Sequence, residues 1–481
     1  MIFFTCLFCL VCVFILTKFR RASNLPPGPI GLPFFGYLFF IERPSFKSLH
    51  RLGKIYGKIF SLTICGRTVI VINELSLIKH ILVNRKEFSG RTTLFVSGLL
   101  AKNHGISNYD GEFVDIKRKI LSKYLRTNDY MESIIDEECS LLINFIKTIT
   151  DEPCNSRLFF NKCVSNIIWK IVFGTRFDYS STNAILNVEN VAINNTENDI
   201  ITFRQLMPRT CSILVQKFPL MKKLLNLSAV FNRYENITKF INLSINNRKL
   251  FNESIFEAEN NSKIHLSDKE TTRLVFELFA AGTDTIILTL QWGMLLLCIH
   301  PKEQEKMRKE IEEFIITPVG EDIFISWNDR QKLRYCQQVI AEIHRYASVT
   351  PLALPHRALT SSKVEGFDIP YNSIVLIDIY SVHYDQNIWI EPQKFNPERF
   401  NGRSPTEKLI PFSLGTRTCP GSSLAQTEIF TILTNIVINY KILPVKKNLS
   451  LDDLGDGTSG LTRGPSYHEL IFKKLNDKNS K

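Results

Sequence analysis

The chain has 481 residues, and 59 Lys or Arg outnumber 47 Asp or Glu to give a formal charge of +12. This excess of positive charge would favour binding to nucleic acid, to an anionic membrane or to an acidic protein, but the sequence has no nucleic-acid motif. The alternative is a basic surface that is simply solvated. Three of the 11 Cys (Cys6, Cys9 and Cys12) lie in the apolar N-terminus, and the rest include no CxxC pair, which argues against a disulfide scaffold and for a reducing compartment. No repeat or linker divides the chain, so we predict one large domain behind a short N-terminal appendage.

The N-terminus predicts a membrane anchor. Residues 2–16 are almost wholly apolar, and Lys18, Arg20 and Arg21 follow them. A helix of ~16 residues spans ~24 Å, a little less than the ~30 Å hydrocarbon core of a bilayer. A cleaved signal peptide is the alternative, but its basic residues would precede the apolar run. We therefore predict a transmembrane anchor at residues 1–21, with the rest of the chain in the cytosol.

A proline-rich segment separates the predicted anchor from the body. Residues 25–29 read LPPGP, and each proline fixes φ and removes a backbone donor. We predict a stiff, non-helical linker at residues 22–36, followed by one large domain at residues 37–481.

The body begins with a predicted hairpin and continues mainly as helices. Residues 58–73 alternate polar and apolar positions around a turn predicted at Gly66-Arg67. Residues 112–230 have a mainly helical pattern, and the Asn-rich stretch 247–263 predicts a surface connection.

A long helix is predicted next. Ser267 and Glu270 have the spacing of a capping box, and the apolar pattern then runs as far as Ile299. A helix of ~33 residues would be ~50 Å long, enough to cross a whole domain. A second membrane span is the alternative, but Glu277 and Asp284 would be costly at the centre of a bilayer. We therefore predict a helix through the core.

The C-terminal part is predicted to mix short strands with a last helix. Residues 352–379 read as strands and turns, with one turn at residues 366–370. The last helix is predicted to start just after Gly421. The whole pattern predicts a mainly α fold with a minor β part.

The strongest chemical signal lies just before that last helix. Residues 412–421, FSLGTRTCPG, match the pattern F-x-x-G-x-R-x-C-x-G at every fixed position. Glycines let the backbone turn tightly, and Cys419 in front of a helix N-terminus lies in a positive field that favours the thiolate. A thiolate suits a haem iron, and Arg417 can pair with a haem propionate. A buried structural thiol is the alternative for a lone Cys, but five matching positions outweigh it.

On these residues the chain resembles the cytochrome P450 family, specifically its microsomal animal members, over nearly its whole length. The resemblance implies that Cys419 is the axial ligand of the haem iron and that Phe412, Arg417 and Gly421 belong to the haem-binding loop.

Three further residues match a second landmark of that family. Glu342 and Arg345 match the family's E-x-x-R on a helix, and Arg399 lies in a matching N-P-E-R-F segment. Residues three apart on a helix share a face and can pair. The resemblance implies that these three residues form an ion-pair network behind the haem.

The long helix carries AGTDT at residues 281–285, which resembles the family's oxygen-activation segment. The resemblance implies that the helix loosens here to leave a notch for O2. It also implies that Thr285 hydrogen-bonds the bound oxygen and passes protons to it, while Asp284 connects this relay to solvent. Without Cys419, a polar patch facing a water-filled groove would be preferred. Ile286 departs from the family, which often has a second Thr or Ser there.

A charged clamp on the haem propionates is also implied by resemblance. Its candidates are Arg91, Arg118, His356 and Arg417. Val114 stands where the family usually has Trp, which predicts one propionate hydrogen bond fewer.

The resemblance implies a haem-thiolate monooxygenase anchored in the endoplasmic reticulum (microsomal) membrane, with its catalytic domain facing the cytosol. It would insert one oxygen atom from O2 into a lipophilic organic substrate. The cofactor would be haem b, and electrons would come from NADPH through a separate flavin reductase, because the sequence has no dinucleotide-binding site of its own. Cytochrome b5 and membrane lipid are further expected partners, and nucleic acid is not.

Two surfaces follow from this interpretation. A docking face for an acidic reductase is predicted on a basic cluster, namely Lys117, Arg118, Lys119, Lys123 and Arg126. An apolar substrate pocket is implied near Phe95, Ala281, residues 349–354 and residues 459–461.

Other functions remain open at this point. A haem-thiolate peroxide isomerase or dehydratase would not need O2, but such relatives often lose the Thr or Asp of the oxygen segment, and both are present. A non-enzymatic haem-binding membrane protein is favoured only by Val114. An enzyme with a nucleophilic Cys would need a nearby base, and no His lies around Cys419 in the sequence.

Overall fold

The computed structural model describes residues 24–33, 35–92, 105–107, 109–179, 241, 267–314, 323–402, 406–446, 449–450, 458–459 and 461–475. The anchor predicted at residues 1–21 and the surface connection predicted at residues 247–263 lie outside these residues, as do all of residues 180–230.

Helices dominate the described residues, as the sequence predicts. They are α1 (Ser45–Tyr56), α2 (Leu75–Asn84), α3 (Glu112–Tyr124), α4 (Asp129–Thr148), α5 (Ser156–Phe173), α6 (Asp268–Ile299), α7 (Pro301–Phe314), α8 (Arg334–Ala347), α9 (Ile379–His383) and α10 (Ser422–Asn439). Short 3-10 turns lie at Leu38–Phe40, Lys86–Phe88, Trp327–Gln331, Pro397–Phe400 and Gly415–Arg417.

The strands are short and form small sheets. They are β1 (Ile59–Ile64), β2 (Arg67–Ile72), β3 (Gly90–Arg91), β4 (Pro153–Cys154), β5 (His356–Arg357), β6 (Ser362–Val364), β7 (Phe367–Ile369), β8 (Ile374–Ile377), β9 (Tyr440–Pro444), β10 (Thr458–Ser459), β11 (Arg463–Gly464) and β12 (Leu470–Lys474). The largest sheet has the order β1-β2-β8-β5-β3, and the others are β4-β12-β9, β10-β11 and β6-β7. The mainly α fold with a minor β part is confirmed.

The largest sheet is apolar on both faces. Successive side chains of a strand point to opposite faces. In β2, Ile70 and Ile72 pack into one buried apolar cluster, whereas Val69 and Val71 pack into another. The sheet therefore lies between two apolar layers, and its β3 and β5 strands carry Arg91 and His356.

The predicted hairpin forms, with its turn one residue earlier than predicted. β1 and β2 pair antiparallel from Ile59 opposite Ile72 to Ile64 opposite Arg67. The two residues between the strands are Cys65 and Gly66, both with positive φ.

The proline-rich segment lies against this hairpin. The Ser61 N–H donates to the Pro27 carbonyl and the Ser61 hydroxyl donates to the Pro26 carbonyl, both at 2.8 Å. The Asp368 N–H donates to the Asn24 carbonyl at 2.8 Å. Residues 24–27 are therefore bonded to the body.

The long helix α6 is a core helix, as predicted. The predicted capping box of Ser267 and Glu270 is present at its start. Among the described residues, α6 is the helix with the length and apolar composition to cross a bilayer, but most of that apolar stretch is buried inside the protein. It packs along α5 and against α8 and α10.

The C-terminal elements are partly as predicted. α10 starts at Ser422, directly after Gly421. The turn predicted at residues 366–370 is wrong, because Phe367–Ile369 form β7 and pair with β6. The chain turns instead at Glu365 and Gly366, both with positive φ.

Candidate active site

Cys419 lies in a tight loop three residues before α10. Its N–H donates to the Phe412 carbonyl at 2.9 Å, which closes the loop, and the Thr418 hydroxyl donates to the same oxygen at 3.2 Å. The Ser422 N–H donates to the Cys419 carbonyl at 3.4 Å. The first and last parts of the 412–421 motif are thus joined directly through the backbone.

Gly415 is required by the packing of this loop. Its φ is +70°, a region that L side chains rarely adopt, and a Cβ built on it would lie 1.9 Å from the Leu82 carbonyl oxygen. The loop therefore rests directly on the backbone of α2, which holds Cys419 in register with the sheet and α10.

The electrostatics of Cys419 differ from the sequence-based expectation. Burial raises the pKa of the Cys419 thiol, while a hydrogen bond from the Gly421 N–H and the positive charge of Arg118 act to lower it. Desolvation outweighs these two stabilising contacts of the thiolate.

The four residues of the predicted propionate clamp come from four separate parts of the chain. Burial, together with the positive charges of Arg417 and Arg118, lowers the pKa of Arg91 to about 9. Arg91 donates to the Leu354 carbonyl at 2.5 Å, and Arg118 donates to the Thr418 carbonyl at 2.7 Å. The three guanidinium groups therefore lie close enough to repel one another.

This cluster retains a buried donor that an anionic ligand would satisfy. Arg417 donates through Nε to the Ser89 carbonyl at 2.9 Å, while its buried Nη1 has no partner in the described part of the chain. The His356 Nδ1–H donates to the Phe88 carbonyl at 2.8 Å, and burial lowers the pKa of His356, so its buried Nε2 carries no proton. An unpaired buried donor among three guanidinium groups is costly, so the residues fit a ligand that brings two carboxylates.

The oxygen segment is a continuous part of α6, without the loosening that the resemblance implies. The Thr285 hydroxyl donates to the Ala281 carbonyl at 2.7 Å. A Cβ built on Gly282 would lie 3.1 Å from the Ile168 side chain, so this glycine serves close packing of α6 on α5.

The Asp284 carboxylate bonds two residues that lie outside the oxygen segment, Arg157 and Thr462. One carboxylate oxygen lies 3.0 Å from Arg157 Nη2 of α5, and the other accepts from the Thr462 hydroxyl at 3.0 Å. No feature of the sequence singles out Arg157 or Thr462, which lie 127 and 178 positions from Asp284.

The structure brings Glu342, Arg345 and Arg399 together. Arg345 pairs with Glu342 through Nε at 2.7 Å and Nη2 at 2.8 Å, and both side chains are fully buried. Arg399 Nε donates to the same carboxylate at 3.1 Å. This geometry is a three-residue network in which one carboxylate serves two guanidinium groups.

Two departures from the family pattern are buried. Val114 lies in the main apolar cluster with 8% exposure, and Ile286 lies there with 3% exposure. Neither adds a polar group to the site. Phe95 of the predicted pocket lies outside the described residues.

A family model described as Cytochrome P450 matches residues 26–472. This chain belongs to the cytochrome P450 family. It is 30% identical to cytochrome P450 2H1 of Gallus gallus over 97% of each chain. It is 30% identical to cytochrome P450 2A1 of Rattus norvegicus over 94% of each chain. It is also 29% identical to cytochrome P450 2C20 of Macaca fascicularis, over 96% of this chain and 98% of that one.

This P450 is a haem-thiolate monooxygenase, which confirms the function predicted from the motifs. Haem b, O2 and electrons supplied by a reductase come with membership of the family, as do lipophilic substrates. The comparisons give no support to a peroxide isomerase or to a non-enzymatic haem-binding protein.

Proposed function

We propose that Cys419 is the axial thiolate of the haem iron and that residues 37–481 form the catalytic domain. The observation that carries this proposal is the buried cationic cluster next to the Cys419 loop. The Arg417 Nη1, which has no partner among the described residues, lies near Arg91, Arg118 and His356. Cys419 and this clamp suit the iron and the two propionates of haem b.

Haem, when bound, supplies the iron that activates O2, and the thiolate increases electron density on it. The chain's own residues orient and protect this group. The Gly421 N–H hydrogen-bonds the Cys419 sulfur, and the Phe412 carbonyl fixes the Cys419 backbone. Backbone groups thus hold the Cys419 sulfur in one position, and this placement does not depend on mobile side chains.

Thr285 and Asp284 are the proposed proton-transfer residues. The Thr285 hydroxyl donates to the Ala281 carbonyl one turn back, and a change of χ1 alone would release it to donate elsewhere. The Asp284 carboxylate is the nearest acidic group along the helix and is partly exposed, with 16% of its side chain accessible.

The Glu342 network supports the backbone beneath the haem site. Arg345 also donates to the His383 carbonyl at 2.8 Å, and Arg399 donates to the Ile390 carbonyl at 2.8 Å. The network thereby ties α8 to α9 and to the segment that leads to the Cys419 loop. We propose that it maintains the fold and takes no part in the chemistry.

The substrate pocket is proposed to lie beside Ala281, residues 349–354 and residues 459–461. Residues 349–354 are held at both ends, because the Arg463 N–H donates to the Val349 carbonyl at 2.7 Å and Arg91 donates to the Leu354 carbonyl. A short apolar segment fixed in this way offers a preformed wall to a lipophilic substrate.

Contact with the endoplasmic reticulum membrane is proposed through the anchor at residues 1–21 and through an exposed apolar patch next to the proline-rich segment. This patch consists of Ile30, Leu32, Phe35, Phe39 and Phe40, whose exposure ranges from 44% to 92%. Clustered exposed apolar side chains mark a contact surface, and a lipid surface suits an enzyme with lipophilic substrates.

The patch predicts residual membrane binding without the anchor. A chain lacking residues 1–21 should still float with phosphatidylcholine–phosphatidylserine vesicles. Replacing Phe35, Phe39 and Phe40 by Ser should reduce the floating fraction at least about tenfold, because ~25 cal/mol is lost per Å² of apolar surface. Replacing exposed Ile390 by Ser is the control. Equal flotation of the triple variant and the control would contradict the patch.

The proposed docking face for the reductase is smaller than the sequence predicts. Lys119, Lys123 and Arg126 are exposed, and cytochrome b5 would use the same face. Lys117 is instead buried and pairs with Glu270 at 2.6 Å. Arg118 is half-buried and donates to the Thr418 carbonyl, so Lys117 is excluded from the docking face and the Arg118 guanidinium is already engaged by the Cys419 loop.

Charge reversal at this face should slow electron transfer. The reductase is expected to reduce the Lys119→Glu/Lys123→Glu variant about ten- to a hundredfold more slowly than the wild type in stopped flow at low salt. The reason is that the electrostatic steering of an acidic partner is lost. Reversal of exposed Lys302 and Lys309 on α7 keeps the same net charge and should leave the rate unchanged. A similar slowing in both variants would place the docking face elsewhere.

A further inference from the structure

The Asp284 carboxylate is fixed by two residues outside the oxygen segment. Arg157, in the first turn of α5, pairs with one oxygen at 3.0 Å, and Thr462 donates to the other at 3.0 Å. The Arg157 side chain is 20% exposed. A guanidinium in contact with solvent therefore sits between bulk water and the acidic group of the oxygen segment.

Both partners of Asp284 are themselves rigidly placed. The Arg157 backbone N–H donates to the Asn155 Oδ1 at 2.9 Å, and Arg157 Nη1 lies 3.4 Å from the Gln291 Oε1 of α6. Thr462 precedes Arg463, whose buried Nη1 donates to the Tyr346 and Ala347 carbonyls at 2.7 and 2.9 Å. Both partners therefore belong to parts of the chain that further hydrogen bonds hold in place.

The position of Asp284 decides how protons reach the oxygen site. Insertion of one oxygen atom into a substrate consumes O2, two electrons and two protons and releases one water. If the protons are delivered in the wrong order or to the wrong oxygen atom, O2 combines with the two electrons and two protons to form hydrogen peroxide. The substrate is then left unoxidised. A misplacement of ~1 Å in such a site can cost about a hundredfold in rate.

We propose that Arg157 and Thr462 are positioning residues for proton delivery. Together they hold the Asp284 carboxylate in one orientation between the solvent side of α5 and the C-terminal loop. This inference rests on the proposed roles of Asp284 and Thr285. Because Thr462 adjoins the proposed pocket wall at residues 459–461, it also connects that wall to the proton-delivering carboxylate.

The test uses the full-length haem-loaded P450 with its reductase and measures NADPH consumed and hydrogen peroxide formed. Arg157→Gln is expected to raise the peroxide share of consumed NADPH about two- to threefold and to increase the solvent deuterium isotope effect on NADPH consumption. Thr462→Val should act in the same direction. Arg157→Lys, which keeps the charge, should recover most of the wild-type behaviour.

Arg176→Gln is the matched control, because Arg176 pairs with buried Glu138 near the other end of α5 and does not contact Asp284. It should leave the peroxide share and the isotope effect unchanged. A second measurement needs no turnover. The melting temperature of the haem-free Arg157→Gln/Asp284→Asn double variant should be no lower than that of the less stable single variant.

Two results would overturn the inference. One is an unchanged peroxide share and isotope effect in Arg157→Gln. The other is fully additive melting-temperature shifts for Arg157→Gln and Asp284→Asn. Failure of the proposed function itself would look different, since the wild type would then bind no haem with thiolate ligation.

Discussion

Replacing Glu342 by Ala is expected to lower the free energy of unfolding by about 3–5 kcal/mol. Glu342 is fully buried and accepts from Arg345, from Arg399 and from the Asn396 N–H at 2.9 Å. Its removal leaves the fully buried Arg345 guanidinium without its carboxylate. Breaking one side of a buried pair costs more than the pair itself contributes, because an uncompensated charge remains in the interior.

Chemical or thermal unfolding, followed by circular dichroism, measures this effect. Lys306→Met is the control, because the Lys306–Glu398 pair is largely exposed, and the change should stay within about 0.5 kcal/mol. Glu342→Gln should fall between the two, since it keeps a hydrogen-bond acceptor but loses the charge. A Glu342→Ala protein as stable as the Lys306→Met control would show that the network contributes nothing to the fold.

Replacing Gly415 by Ala is expected to prevent the Cys419 loop from closing. The φ of +70° costs an L residue about 1 kcal/mol. The added methyl would also meet the Leu82 carbonyl at 1.9 Å, and a backbone atom cannot be displaced as a flexible side chain can. We expect a further loss of about 2–3 kcal/mol and a haem content far below that of the wild type.

Gly366→Ala separates the two causes. Gly366 has a similar φ of +81°, but a Cβ there has no atom within 4 Å among the described residues. It should therefore show only the conformational cost of about 1 kcal/mol, with normal haem content. If both variants lose the same stability and haem, the contact between Gly415 and α2 is not what shapes the loop.

Local rules account for what the sequence predicts correctly. The capping box of Ser267 and Glu270, the start of α10 after Gly421 and the hairpin at residues 59–72 each depend on residues a few positions apart. The turn at Glu365 was missed because a non-glycine residue takes the first positive-φ position, and composition then favours the following Gly366 and Pro370.

Contacts between distant residues could not be predicted in the same way. Lys117 reads as a member of a basic surface, yet it pairs with Glu270, 153 positions away, and becomes buried. The ion pair between Asp284 and Arg157 depends on the close approach of α5 to α6, which Gly282 permits. Periodicity reports which face of a helix is apolar but not which polar residue of another helix faces it.

The protonation of Cys419 shows how two correct principles compete. The helix N-terminus and Arg118 favour the thiolate, and the sequence is sufficient to predict this direction. Burial opposes them and raises the pKa of the thiol, which depends on packing of the whole loop. The motif therefore predicts which residue is the ligand, but it does not predict the direction in which the pKa of its thiol is shifted.

The absorption spectrum of the reduced, carbon-monoxide-bound protein tests the role of Cys419 most directly. The wild type should show the Soret band typical of thiolate-ligated haem. Cys419→Ala should lose that band, whereas Cys336→Ala, which removes a buried thiol of the core, should retain it. A wild type without this band, or a Cys419→Ala protein that keeps it, would contradict thiolate ligation by Cys419.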